Sequence, residues 1–282
     1  MKTIVATAAF ATFVAAQANF GDAIDRLDKY LIAYEPQLSS LIADETMRQE
    51  VRQATNRGQP SEISRSARSI RLHRTIQSEV AFVALPDPAG WLGFRHVKAV
   101  NDKPVTLDGE SLMTTLKSQG YDAARELLQA SAQHNLGLPR TTNLPNLPLE
   151  FLHPRNRKRF LTRADGRERI RGRDTTRVVF LERMTPTLIR NPKGGDMPSV
   201  VRAWIDSDGS LIRAEVETFA STQTKSAENT IRVEFTMNQT LQMLVPGEMR
   251  EDFPVMRPGS GTSVASYTNF RRFQTSARIV PQ

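Results

Sequence analysis

The sequence predicts an α+β chain dominated by antiparallel sheet, and three observations carry that expectation. Short β-rich runs separated by Gly, Pro, Asn and Asp turns fill the chain from Arg159 onward. Further runs of the same kind lie between Ile70 and Val100. Two segments, 20–56 and 108–135, instead place apolar residues at three- and four-residue steps, the period of an amphipathic helix. The whole of 19–282 is expected to form one domain, mostly β after 159.

Ahead of that domain, residues 1–18 have the layout of a secretory signal peptide. Lys2 supplies a positive start, Ile4 to Ala16 form a short apolar stretch, and Ala16-Gln17-Ala18 is a small-x-small cleavage site, so cleavage is expected at Ala18/Asn19. A spanning helix needs about 20 apolar residues, and this stretch is shorter. No later segment is long and apolar enough to replace it, so the expectation is a soluble periplasmic or secreted protein. The chain has no cysteine, which excludes a disulfide framework and an acylated lipoprotein N-terminus.

In the first helical segment, Ile24, Leu27, Leu31, Tyr34, Leu38 and Leu41 supply the apolar face, and Pro36 predicts a kink or a division into two helices. Asn56 to Pro60 reads as a loop. Ile70, Leu72, Ile76, Val80 and Phe82 share one parity, as in a half-buried strand ending before the Pro86–Gly90 turn. Trp91 to Val100 is the next strand, and Asn101-Asp102 turns the chain toward Val105. Asp108 caps the second helix, which uses Leu112, Leu116, Ala123, Leu127 and Leu128 and stops at Leu136-Gly137. A proline-spaced loop follows, with Leu149 to His153 expected as a helical turn packed beneath it.

Seven strands are expected thereafter, beginning at Phe160, Arg177, Val200, Leu211, Thr230, Leu241 and Tyr267. Turns are read at Ala164-Asp-Gly166 and at Asp206-Ser-Asp-Gly209, the latter a strong hairpin signal between alternating strands. Segments 221–229 and 254–263 are expected to be long mobile loops.

The sequence carries no catalytic signature, so no enzyme is expected, and no cofactor or metal is implied. His73, His96, His134 and His153 lack metal-ligand spacing. There is no Gly-x-Ser-x-Gly elbow, and Gly194-Gly195 and Gly259-Ser-Gly261 open no phosphate-binding helix. Asp206 and Asp208 fit a hairpin turn better than a calcium loop. The acid pairs Glu215/Glu217 and Glu248/Glu251 do not by spacing alone make a hydrolase.

Charge gives a second lead. The chain has 38 basic and 30 acidic residues, a net charge of +8. The densest basic run is Arg155, Arg157, Lys158, Arg159 and Arg163, continuing to Arg173. It is either a contact for an anionic membrane surface or acidic envelope partner, or the solvated face of a hairpin. Export argues against nucleic acid as the partner.

Several phrases resemble a family of uncharacterised exported bacterial proteins: Gly90 to Val97, Phe151 to Asn156, Pro186 to Arg190, Ala203 to Asp206 and Tyr267 to Phe273. More remotely, the strand ending Trp204-Ile-Asp206, its Gly turn, the strand from Leu211 and the late strand near Val245-Pro246 resemble the outer-membrane lipoprotein carrier and sorting superfamily. That resemblance implies a curved, half-barrel-like sheet, helices closing its concave face, and a lipid or acyl chain as partner. In such a sheet the strand aromatics Trp91, Phe94, Phe180, Trp204, Phe235 and Phe270 are candidate cavity-wall residues. In a closed sandwich the same side chains fill the core.

Overall fold

The structure is a computed structural model that describes residues 5–54, 69–84, 91–105, 126, 128–224, 226–255 and 259–272, with side chains from Phe20 onward. Its centre is an open, curved antiparallel sheet of eleven strands in the order β4-β3-β2-β1-β13-β12-β11-β10-β9-β6-β5. In chain order these are β1 (Leu41–Ala54), β2 (Ser69–Ala84), β3 (Trp91–Val100), β4 (Lys103–Pro104), β5 (Phe160–Ile170) and β6 (Arg173–Glu182). After the small separate hairpin β7 (Ile189–Arg190) and β8 (Asp196–Met197) come β9 (Ser199–Ile205), β10 (Leu211–Thr218), β11 (Asn229–Asn238), β12 (Met243–Phe253) and β13 (Gly259–Arg272). The last strand pairs with the first, Met47 opposite Ala265, which brings the two ends of the domain together in the middle of the sheet.

One face of the sheet is covered. The helix α1 (Val5–Leu38) lays Leu27, Leu31, Tyr34 and Leu38 on it, and the short helix α2 (Leu147–Leu152) adds Leu149, Phe151 and Leu152. Both pack into one cluster with Val80, Met47, Ala265, Met249, Val233, Ala214, Val201 and Phe180. These strand residues share the parity that points to α1, and that side is called the inner face below.

The first helix ends sooner than the periodicity predicts. Helix gives way after Leu38, and the expected helical residues 41–54 are strand β1. Leu38 and Leu41 keep a three-residue step across the junction, which hides the change of period. On the strand itself, inner positions hold Leu41, Ala43 and Met47 but also Glu45 and Gln49, so hydrophobic alternation is broken by buried polar side chains. Pro36 lies in the last turn of α1 and precedes its end rather than a kink. Of the second expected helix, residues 128–133 are helical and Gly137 takes the left-handed φ of +76° after them. Positions 106–125 lie outside the described residues.

Two turn expectations are also revised. Gly166 (φ +92°) is not a turn but a bulge inside β5, where the register to β6 shifts between Ala164 and Arg167. The hairpin turns instead at Arg171-Gly172, both with positive φ, as does Asn101-Asp102 between β3 and β4. The segment 254–263, expected as a loop, contains the start of β13 at Gly259. There a glycine signals close approach, because a Cβ on Gly261 would lie 2.1 Å from the Phe253 ring. The Asp206–Gly209 hairpin forms as expected, and its turn rests on α1, since a Cβ on Gly209 would meet the Arg26 carbonyl oxygen at 2.6 Å.

Candidate functional site

The inner face changes character along the strands. Beneath α1 and α2 it is apolar and filled. Toward the β1–β2 and β12–β13 ends a belt of buried polar groups crosses it, and beyond the belt lies a second apolar zone.

Two acid–arginine pairs make the belt. Arg95 on β3 forks onto Glu45 of β1, with Nη2 donating to Oε1 at 2.8 Å and Nε donating to Oε2. Arg140, from the segment after residues 128–133, donates through Nε to Glu251 Oε1 of β12 at 2.8 Å. Glu45, Arg95 and Glu251 are all at most 2% exposed. A fork of two parallel bonds is the strongest form such a pair takes, and burial makes each partner dependent on the other.

Amide side chains link the pairs. Arg95 donates to Asn143 Oδ1 at 3.1 Å and to its carbonyl at 2.7 Å. Asn143 donates to Asn135 Oδ1, as does Gln49 of β1. Gln49 in turn accepts from the Leu136 amide at 2.8 Å. Arg74 of β2 donates to the carbonyls of His134 and Asn135. The segment 134–143 is thus fastened to the inner face by side chains rather than by a strand ladder. Gly93 of β3 lets the chain come this close, since a Cβ there would sit 2.3 Å from Asn146 Oδ1.

Electrostatics follow burial. Desolvation raises the Glu251 carboxyl above the ordinary glutamate range, and the neighbouring Arg140 and Arg95 only partly oppose it. Burial works against the Arg95 charge, yet the charge and hydrogen bonds of Glu45, with Tyr267 and Glu251 nearby, raise its pKa overall. The Tyr267 hydroxyl, buried next to Glu45, is raised far above its usual value. A raised folded pKa means that the neutral form of Glu251 stabilises the fold. That contribution is complete below the ordinary value of 4.5 and is lost as pH rises through the folded value. The stability of Glu251→Gln relative to the native protein is therefore expected to increase as pH rises from about 4 to 8. Urea unfolding across that range measures it, and a difference that stays flat would contradict the assignment.

Beyond the belt, Val51, Leu136 and Phe253 form a small buried cluster with Val255 packed on it. The Arg140 guanidinium lies over the Phe253 ring at 3.5 Å and joins belt to cluster. Leu72 pairs with Val51 on the inner face, with Ile70 two residues further out. Ile70 and Leu72 are each 48% exposed, and Leu138 is 57% exposed.

The six aromatics read as wall residues do not share a surface. Phe180 and Phe235 face inward and are fully packed in the core, where Phe180 meets the Phe160 ring edge-on at 6.4 Å. Trp204 and Phe94 alternate with inward residues and lie on the outer face. Trp204 is held there by a 2.6 Å bond from Nε1 to Glu168 and by Arg213 over its ring. Phe270 is half-buried at the margin of the core, and the side chain of Trp91 lies outside the described residues. An open depression of about 490 Å³ near Thr230, Asp252 and Thr262 is lined by none of the six.

The basic run is mostly engaged within the chain. Arg155 pairs with Glu35, Arg157 with Asp28, and Arg159 with Glu182, so the first two clamp α1 to the short 3-10 turn Pro154–Arg159. Lys158 and Arg163 are exposed. Arg163, Arg167 and Arg169 sit on β5, at the edge of the sheet, where charge and a bulge discourage pairing with another chain. Reversal at Arg157 is expected to lower stability by about 1–3 kcal/mol, whereas reversal at Lys158 or Arg163 changes it little. Thermal melts of the three single variants check this ordering.

The acid pairs fare similarly. Glu215 is held by Arg202 and Arg232, and Glu217 by Arg202. Glu248 and Glu251 fall on opposite faces of β12, the first exposed and the second buried. Among the described residues, no three His, Asp or Glu side chains converge on a metal-sized site, and no helix is long and apolar enough to cross a membrane. The belt was missed by sequence reasoning, although Glu251 and the phrase around Arg95 had both been noticed. Its partners lie 50 and 111 residues apart; strand register brings the first pair together, and the fastening of segment 134–143 to the inner face brings the second.

No protein-family model and no curated protein matches this chain. Among solved structures, it is similar to an outer membrane lipoprotein-sorting protein domain from Vibrio parahaemolyticus, with a TM-score of 0.39 and 8% identity over 89% of this chain and 92% of that one. It is also similar to a DUF1329 family protein from Desulfovibrio piger, with a TM-score of 0.37 and 11% identity over 91% and 94% of the two chains. A LolA superfamily protein from Nitrosomonas europaea gives 0.35 and 10% over 90% and 97%.

Proposed function

We propose that this protein is an exported, non-enzymatic binder or carrier of a lipid or other apolar chain in the cell envelope. One observation carries the reading: beyond the polar belt the inner face of an open sheet is apolar again, and there Ile70, Leu72 and Leu138 remain exposed beside the buried Val51, Leu136 and Phe253. Burying large apolar side chains is worth about 1.5–3 kcal/mol each, so an exposed group of them at one end of a concave surface favours an apolar occupant. The segment above this zone is tied down by side chains alone, which permits it to shift around a guest without unzipping a strand.

The signal-like N-terminus supports release into the periplasm or beyond, with cleavage after Ala18. The seat proposed for the ligand is the open end rather than the strand aromatics, because Phe180 and Phe235 are consumed by the core. Protein purified without detergent, denatured and extracted is expected to release lipid detectable by mass spectrometry. Absence of lipid, together with no binding of added alkyl chains, would remove the proposal.

A further inference from the structure

We infer that the ligand is an anionic amphiphile, its single negative head seated at Arg74 and its chain lying over Leu72, Ile70 and Leu138. This rests on the binder reading above and names the chemistry of the same site.

The argument begins with the charge of the belt. Three inner-face cations, Arg74, Arg95 and Arg140, meet two carboxylates, Glu45 and Glu251. Arg95 is satisfied by Glu45, and Arg140 shares Glu251 through Nε. Arg74 has no carboxylate within 4.0 Å among the described residues, and its Nη1 bonds only to the carbonyls of His134 and Asn135. Among the described residues Arg74 is therefore the belt cation without a carboxylate partner, in a half-buried place where solvent screens it less than at the surface.

Donor capacity is left over on the same side chain, since among the described residues only Arg74 Nη1 is engaged, by two carbonyl oxygens. Further along the belt Arg140 Nη2 and the Ser263 hydroxyl are buried without partners, but so is Glu251 Oε2, and these atoms leave no net donor for a ligand. A carboxylate or phosphate monoester matches a guanidinium with uncommitted N–H groups, whereas an ammonium head does not and an alcohol matches it less well.

Position then gives the ligand its shape. Arg74 and Leu72 are two residues apart on the same face of β2, about 7 Å by the rise of a strand, with Ile70 a further step out. An apolar surface that ends in uncommitted donors is complementary to a chain with an anionic end.

Four twelve-carbon probes titrated by calorimetry below their micelle concentrations test this on the purified protein: dodecanoate, dodecyl phosphate, dodecanol and dodecyltrimethylammonium. The anionic pair is expected to bind about tenfold or more tightly than dodecanol, with the cation weakest. The ratio of dodecanoate to dodecyl phosphate separates a free carboxylate from a phosphate head. Arg74→Gln is expected to bring dodecanoate to the level of dodecanol, Arg74→Lys to keep the preference, and Leu72→Asp to weaken all four.

Equal affinity for all heads, or preference for the cation, overturns the inference and leaves the binder reading intact. Retained discrimination in Arg74→Gln also overturns it. Failure of every probe to bind overturns both. Circular dichroism melts confirm that the variants are folded, and should Arg74→Gln not fold, the comparison of heads on the native protein and Arg74→Lys still decides.

Discussion

Glu45→Leu is expected to cost about 3–5 kcal/mol of stability, among the largest effects any single change here would have. The substitution leaves Arg95 buried, charged and deprived of its fork, in a site where it is 2% exposed and water cannot replace the lost carboxylate. The loss extends to segment 134–143, because Arg95 also holds the Asn143 side chain and carbonyl. The double variant Glu45→Leu with Arg95→Met tests the cause. If the penalty arises from the orphaned charge, the double variant recovers most of it, since apolar replacements of a buried pair are often neutral. Urea unfolding of both, set against the native protein, is the measurement. A double variant as unstable as the sum of the two single ones would show no coupling between the partners, and would place the penalty in each residue's separate contacts rather than in the broken pair.

Phe180→Ala is the second, with an expected loss of about 3–5 kcal/mol from lost burial and the cavity left behind. Phe180 is fully buried, meets the Phe160 ring edge-on, and carries the Arg157 guanidinium 4.7 Å above its face. Removing the ring therefore also loosens the arginine that pairs with Asp28 on α1. The same variant separates core from cavity wall. As core, Phe180 changes stability and leaves alkyl-chain affinity in the surviving folded protein unchanged. A large drop in affinity with little loss of stability would return it to a ligand-facing role.

Much of the succession of strands along the chain was legible because turns announce themselves locally. Asn101-Asp102 and Asp206–Gly209 mark turns at positions where φ must turn positive, and both form. The helical period of Leu27, Leu31, Tyr34 and Leu38 was equally plain, since one face of α1 does nothing but pack. Misreadings occur where a local signal has two meanings. Gly166 serves a bulge rather than a turn, and the glycines at 259 and 261 belong to a strand crowded by Phe253. Residues 41–54 were read as helix because Glu45 and Gln49 occupy inward positions that a sequence pattern assigns to solvent.

By itself, then, the sequence determined the class: an antiparallel, cysteine-free α+β chain with a signal-like start, several of its turns and the packing face of its first helix. Those properties depend on neighbours within a few positions. Only the tertiary structure decided which side chains share a face. The registers of β1 and of β3 against β2 set Glu45 against Arg95, and the descent of segment 134–143 set Arg140 against Glu251. A one-residue slip in any of those ladders would have turned the belt outward, where the same residues would be an ordinary solvated surface. It is the meeting of distant polar residues on a buried face, and not their identities, that makes the candidate site.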